Sequence, residues 1–135
     1  MENENHQLHN RNRRLVGIII LLIIASIHII GIRKYLSDDL RILYSSYASD
    51  FMLPFGMYFL LCISELNIPY LHKWYLKAGL ILGITVLLET LQYFGIYALG
   101  STFDPMDILA YVVSIGAAIF LDRVLFRQFI PHWEL

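Results

Sequence analysis

Three carboxylates and an amide, Glu89, Asp104, Asp107 and Gln92, share one short and mostly apolar stretch, "ETLQYFGIYALGSTFDPMDILAY", from Glu89 to Tyr111. Clustered carboxylates can bind a cation, hold a hard divalent metal or exchange protons. On a helix Glu89 and Gln92 are i,i+3 neighbours and project from one face, joined by Thr85, Tyr93 and Ile96. Asp104 followed by Pro105 is the pattern of an N-cap and a first helical proline, with Asp107 in the first turn. The helix dipole favours both aspartates there whether or not anything binds them. Asp107 also shares a face with Tyr111, Ser114 and Ala118, a small and polar stripe suited to interhelical contact. His28 stacks with Gly17, Leu21, Ile24 and Gly31, where it can serve as a ligand or proton carrier, or simply bond a backbone carbonyl or interfacial water. Asp50 is the remaining candidate.

The elements that position these groups belong in a bilayer. The chain has 135 residues, room for one domain, with 58% hydrophobic residues and a mean hydropathy of +0.61, outside the range of ordinary soluble proteins. A net charge of -1 and the lack of a dense Lys/Arg run argue against nucleic-acid binding. One cysteine, Cys62, excludes an intrachain disulfide and reads as a small buried hydrophobe. No His-rich or multi-thiolate metal motif is visible, and the sequence leaves any cofactor unknown.

A membrane-crossing helix needs about 20 mainly apolar residues. Four segments approach this: Leu15 to Ile32, Phe51 to Ser64, Ala78 to Gly100 and Pro105 to Leu121. The basic cluster Arg11, Arg13 and Arg14 before the first resembles a secretory leader, but no small-x-small site follows, so it reads as a retained anchor. Before the second, Leu40, Leu43, Tyr44, Tyr47 and Phe51 recur at helical spacing, which predicts an amphipathic helix on the membrane surface. Alternatively the second span begins near Ile42 and carries Asp50 into the bilayer. The expected fold is therefore all-α: an integral membrane bundle of four transmembrane helices (15–128), with a short interfacial helix between the first two. A disordered tail (1–14) and a C-terminal tail (129–135) flank it. Gly79 and Gly83 form a small-xxx-small pair in the third span.

Lys and Arg distribution sets orientation. With a cytoplasmic N-terminus, Arg11, Arg13, Arg14, Lys73, Lys77, Arg123 and Arg127 lie inside, and Arg33, Lys34 and Arg41 outside. Both termini are then cytoplasmic, in an inner membrane. Tyr35, Tyr44 and Tyr47 join the outer aromatic belt, and Tyr70, Trp74, Tyr75, Phe129 and Trp133 the inner one. Glu89 would lie about 9 Å below a helix end at Gly95, and Asp107 about 3 to 5 Å below its helix start. Asp50 begins the second span on that same side and His28 lies in the outer third of the first. These groups converge on an outward-facing polar site. A carboxylate at mid-bilayer costs about 2.5 to 3.5 kcal/mol, so Glu89 should face the bundle interior, be protonated or have a partner.

The pair of motifs "ETLQ" and "DPMDILAY", in successive helices across a short outer loop, resembles the VanZ-like family of small bacterial membrane proteins. The likeness covers roughly Leu80 to Arg123. It carries over an acidic residue and a glutamine three later (Glu89, Gln92), then an aspartate pair three apart (Asp104, Asp107). Many members have a basic residue before the aspartates, where this chain has "GSTF", and an asparagine where it has Tyr111. The family's second helix often carries a Lys and His pair, where Asp50 and Pro54 stand here. The resemblance implies a cell-envelope setting and a link to glycopeptide antibiotic resistance.

Three function classes follow. The first is an envelope protein whose acidic pocket binds an envelope lipid or cell-wall precursor, a cation or a partner. The second is a metal-assisted membrane enzyme acting on a lipid phosphate, with Asp104 and Asp107 holding the metal and Glu89 as acid or base. No nucleophile with its base and no phosphate-cradling loop accompanies it. The third is a proton or cation transporter subunit, which would need oligomerisation because four short spans make a narrow bundle.

Overall fold

A computed structural model describes residues 1–96 and 104–134. The described residues form helices and no strands. Helix α1 is Glu2–Ile30, α2 is Asp38–Ser64, α3 is Trp74–Tyr93, and α4 is Pro105–Phe120. The last runs on through a π-helical turn, Leu121–Leu125, into α5, Phe126–Phe129. Short 3₁₀ segments, Ile32–Tyr35 and Pro69–His72, connect α1 to α2 and α2 to α3. Four helices, counting Pro105–Phe129 as one, are long and apolar enough to cross a membrane. This fits a multi-pass membrane protein. The large apolar side chains left exposed, among them Ile19, Leu22, Ile23, Leu87, Leu109 and Val113, cover the outside of the bundle, as a hydrocarbon solvent permits.

Two expectations about boundaries are corrected. The interfacial helix does not exist as a separate element: its residues are the first turns of α2, which is continuous from Asp38 to Ser64. No glycine or proline interrupts the chain before Pro54, so an amphipathic start and an apolar end propagate as one helix. Asp50 accordingly sits mid-helix. The N-terminal segment, expected to be disordered, is helical from Glu2, and His9 and Arg13 are buried within it.

Helix ends follow local rules. Gly31 closes α1 in the left-handed region (φ 66), its N–H bonded to the Ile27 carbonyl. Gly95 (φ 80) ends α3: its N–H reaches the Gln92 carbonyl and that of Ile96 the Leu91 carbonyl, a Schellman closure that a residue without Cβ adopts cheaply. Asp104 caps α4, accepting from the Met106 amide at 2.9 Å. Gly100 and the rest of the expected loop, 97–103, lie outside the described residues.

The chain order makes α1 and α3 antiparallel to α2 and α4. Helix α2 is the hub, packing on α1, α3 and α4, while α3 also packs on α4. The core is a buried layer of Tyr58, Phe59, Cys62, Ile81, Ile115 and Ala118. Helix α1 approaches α2 closely at Gly17, where a Cβ would come within 2.6 Å of Ile63 Cγ1. The expected packing pair, Gly79 and Gly83, instead faces open space.

Candidate functional site

Each of α2, α3 and α4 carries one inward stripe that is apolar at its centre and polar at both ends. On α3 the stripe is Lys77, Ile81, Thr85, Glu89 and Gln92, all buried; Tyr93 and Ile96, expected on the same face, are exposed instead. On α4 it is Tyr111, Ser114, Ile115 and Ala118, continued four residues on by buried Asp122. On α2 it includes Pro54, Tyr58 and Cys62. The core layer divides these stripes into two polar sites at opposite ends of the bundle.

The first site lies away from the chain termini. A cavity of about 600 Å³ is lined by all four long helices: His28 from α1, Ser46, Ser49 and Asp50 from α2, Thr85, Glu89 and Gln92 from α3, and Asp107 and Tyr111 from α4. Part of its wall is apolar, with Leu21, Ile24, Met57 and Leu60. Because α1 packs mainly on α2, and α3 on α2 and α4, the cavity occupies the gap between α1 and α3. Its rim residues His28, Ser46 and Ser49 are exposed, whereas Thr85, Glu89, Gln92 and Tyr111 are buried.

Glu89 is only 2% exposed and points into the bundle, not at lipid. The Tyr111 hydroxyl donates to its Oε1 at 2.6 Å. Its other oxygen, Oε2, is buried with no hydrogen-bond partner among the described residues. Asp50 and Asp107 line the same cavity from α2 and α4, beside Tyr111. Pro54 contributes indirectly, because it has no N–H to offer the Asp50 carbonyl one turn back. Ser114 donates to the Phe51 carbonyl and fixes α4 against α2 just below the carboxylates. No lysine or arginine is among the lining residues, so three carboxylates share a poorly solvated space with His28 as the one ionisable nitrogen.

Six of the seven residues singled out from the sequence, Glu89, Gln92, Asp107, Asp50, Tyr111 and His28, therefore line one cavity. The seventh, Asp104, does not line it; its carboxylate is spent on the α4 cap. Among the described residues, no group of three or more His, Cys, Asp and Glu side chains is arranged to hold a metal ion.

The second site, near the termini, escaped the sequence reading. Arg13, Glu65, Lys77 and Asp122 are each at most 4% exposed and form a charge-balanced cluster. Arg13 pairs with Glu65 and, at 3.2 Å, with Asp122. Lys77 donates to Glu65 at 2.7 Å and lies 3.7 Å from Asp122. Tyr58 donates to Asp122 at 2.8 Å, and Lys77 to the Cys62 sulfur at 3.3 Å. The C-terminal segment closes over this cluster. His132, at φ 55, turns the chain back, an unusual backbone state for a residue with a Cβ. Trp133, expected at the membrane interface, is instead 1% exposed; its Nε1–H reaches the Asp122 carbonyl at 2.8 Å and its ring lies under the Arg13 guanidinium at 4.8 Å. The π-helical turn at Leu121–Leu125 accommodates Asp122 in this position, consistent with the habit of π-turns to re-aim side chains at constrained sites. The signal was present in the sequence: Asp122 continues the Tyr111–Ser114–Ala118 face, and Lys77 the Thr85–Glu89 face. Charges at the ends of apolar runs resemble solvated flanks, and that resemblance concealed them.

Comparison with protein-family models, with curated proteins and with solved structures finds no match to this chain.

Proposed function

We propose that this chain is a VanZ-like, multi-pass protein of a bacterial inner membrane, with both termini cytoplasmic, whose acidic cavity faces outward and binds an envelope ligand. The observation that carries the reading is Glu89: an inward carboxylate, 2% exposed, with one oxygen unpartnered on the wall of a cavity shared with Asp50 and Asp107. Burying a carboxylate in a bilayer costs about 2.5 to 3.5 kcal/mol by insertion scales, offset only in part by the single hydrogen bond from Tyr111. The volume, about 600 Å³, is of small-molecule size. The basic residues near the termini favour that end as cytoplasmic, and the cavity is at the other end. The "ETLQ" and "DPMDILAY" motifs support the envelope setting.

The other two classes have less support. For the metal-assisted enzyme, Asp104 already gives one oxygen to the α4 cap and does not line the cavity. A transport path through one copy meets the buried layer of Phe59, Ile81, Ile115 and Ala118. The test is complementation of an envelope phenotype, such as sensitivity to a glycopeptide, in a strain lacking the gene. Glu89→Ala and Asp107→Ala are expected to abolish complementation at normal expression and monodispersity, while Asp104→Ser, which keeps the cap, retains it. Full complementation by the first two would remove the proposal.

A further inference from the structure

We infer that the cavity takes a cationic amphiphile: a primary ammonium head seated among Glu89, Asp50 and Asp107, with a hydrocarbon chain along Leu21, Ile24 and Met57. The inference rests on the cavity being a binding site and names the ligand class.

The head-group argument starts from charge. Three carboxylates from three helices line one cavity, and none of its walls supplies Lys or Arg. The opposite end of the bundle shows how this chain treats buried carboxylates that have resident partners: Glu65 and Asp122 are matched by Arg13 and Lys77. At the cavity no Lys or Arg among the described residues supplies a matching cation. Glu89 Oε2 is a buried acceptor with no hydrogen-bond partner among the described residues, while Oε1 is already oriented by Tyr111. An ammonium is a compact donor of three N–H bonds, enough to engage carboxylates from three directions.

The tail argument starts from the wall. Below the carboxylates the cavity is lined by aliphatic and thioether side chains, which offer a polar ligand nothing and would leave water poorly bonded. The gap between α1 and α3 gives a chain lying in the bilayer a route inward without removing its methylenes from hydrocarbon. Such a ligand keeps its tail in an apolar medium and moves only its head, from the interface to the carboxylates.

The test uses the full chain in zwitterionic phosphatidylcholine nanodiscs and alkyl probes carrying a diazirine near the chain end. One probe ends in a primary amine, a second in a hydroxyl, and a third is a two-chain amine-headed phospholipid. Cross-linked peptides are mapped by mass spectrometry. The single-chain amine, or the amine phospholipid, is expected to label the Leu21–Ile24 and Met57–Leu60 segments at least tenfold more than the hydroxyl probe, because an ammonium–carboxylate contact exceeds a neutral one by about that factor. Excess unlabelled dodecylamine should abolish labelling. Which amine probe labels identifies the source as a free amphiphile or a bilayer lipid. Glu89→Gln, near-isosteric, should reduce labelling about tenfold, and Ile24→Trp should block it with the carboxylates intact.

Equal labelling by the hydroxyl probe, or no labelling by either amine, overturns the inference. Equal competition by methylamine and dodecylamine also overturns it, since the tail would then contribute nothing. These failures are separable from failure of the binding site itself. If amine labelling is absent while Glu89→Ala still abolishes complementation, the ligand class is wrong and the site stands. If both are negative, both fall.

Discussion

Lys77 offers the sharpest test of the packing logic. Its Nζ is 2.7 Å from Glu65 Oε2 and 3.7 Å from Asp122 Oδ2, with all three side chains at most 1% exposed. With Arg13 they make two cations against two carboxylates, and the cluster ties α1, the end of α2, the start of α3 and the end of α4 together. Lys77→Met keeps the aliphatic stem but leaves one carboxylate in excess. Glu65→Gln keeps the shape but leaves one cation in excess. Removing a single member of a buried ion pair costs about 3–5 kcal/mol, because the partner's charge stays desolvated. That is a large share of the roughly 5–15 kcal/mol by which folded domains are stable. The double variant, Lys77→Met with Glu65→Gln, retains Arg13 against Asp122 and is again balanced. Its cost should fall short of the sum of the singles by about 2 kcal/mol, within the range for directly coupled residues. The assay is equilibrium unfolding in mixed micelles with increasing dodecyl sulfate, followed by helical circular dichroism. Additive losses, agreeing within about 0.5 kcal/mol, would refute the claim that charge balance holds this end together. So would single losses below about 1 kcal/mol, the value for exposed pairs.

Two further outcomes follow from the geometry. Gly17→Ala should destabilise the bundle by about 1–3 kcal/mol, because its Cβ would meet Ile63 Cγ1 at 2.6 Å and Cδ1 at 2.8 Å; Ile63→Ala should recover part of the loss, and Gly83→Ala, which meets nothing within 4 Å, should be near neutral in the same unfolding assay. The proposed orientation predicts that a membrane-impermeant maleimide applied to intact cells labels Tyr35→Cys, at an 80% exposed position, and spares Asn67→Cys at the opposite end; the reverse pattern would turn the cavity toward the cytoplasm.

The cavity residues were readable from sequence because rare polar groups in apolar helices have few places to go. Glu89 cannot face lipid cheaply, and its i,i+3 relation to Gln92 fixes the shared face. Asp50 was harder: alternation of apolar and polar residues before it fits a surface helix as well as the exposed start of a long one. Only the unbroken run of α2 from Asp38 to Ser64 decides between them. Asp104 and Asp107 are three residues apart and alike in type, yet one caps a helix and the other lines a cavity. That difference arises because the capping residue must turn its side chain back onto its own backbone.

By itself the sequence determined the all-helical class, four runs able to cross a membrane, the Asp104 cap, and the shared inward face of Glu89 and Gln92 on α3. These depend on local periodicity and on the price of exposing polar groups to hydrocarbon. Tertiary structure alone decided which charges meet. Arg13, Glu65, Lys77 and Asp122 are far apart in the chain and look like four ordinary flanking charges, until α1, α2, α3 and α4 bring them within bonding distance. It likewise decided that Gly17, and not Gly79 or Gly83, is where helices touch, and that Trp133 folds back under Arg13. Pair energies depend on distance and on shared burial, and neither is encoded at any single position.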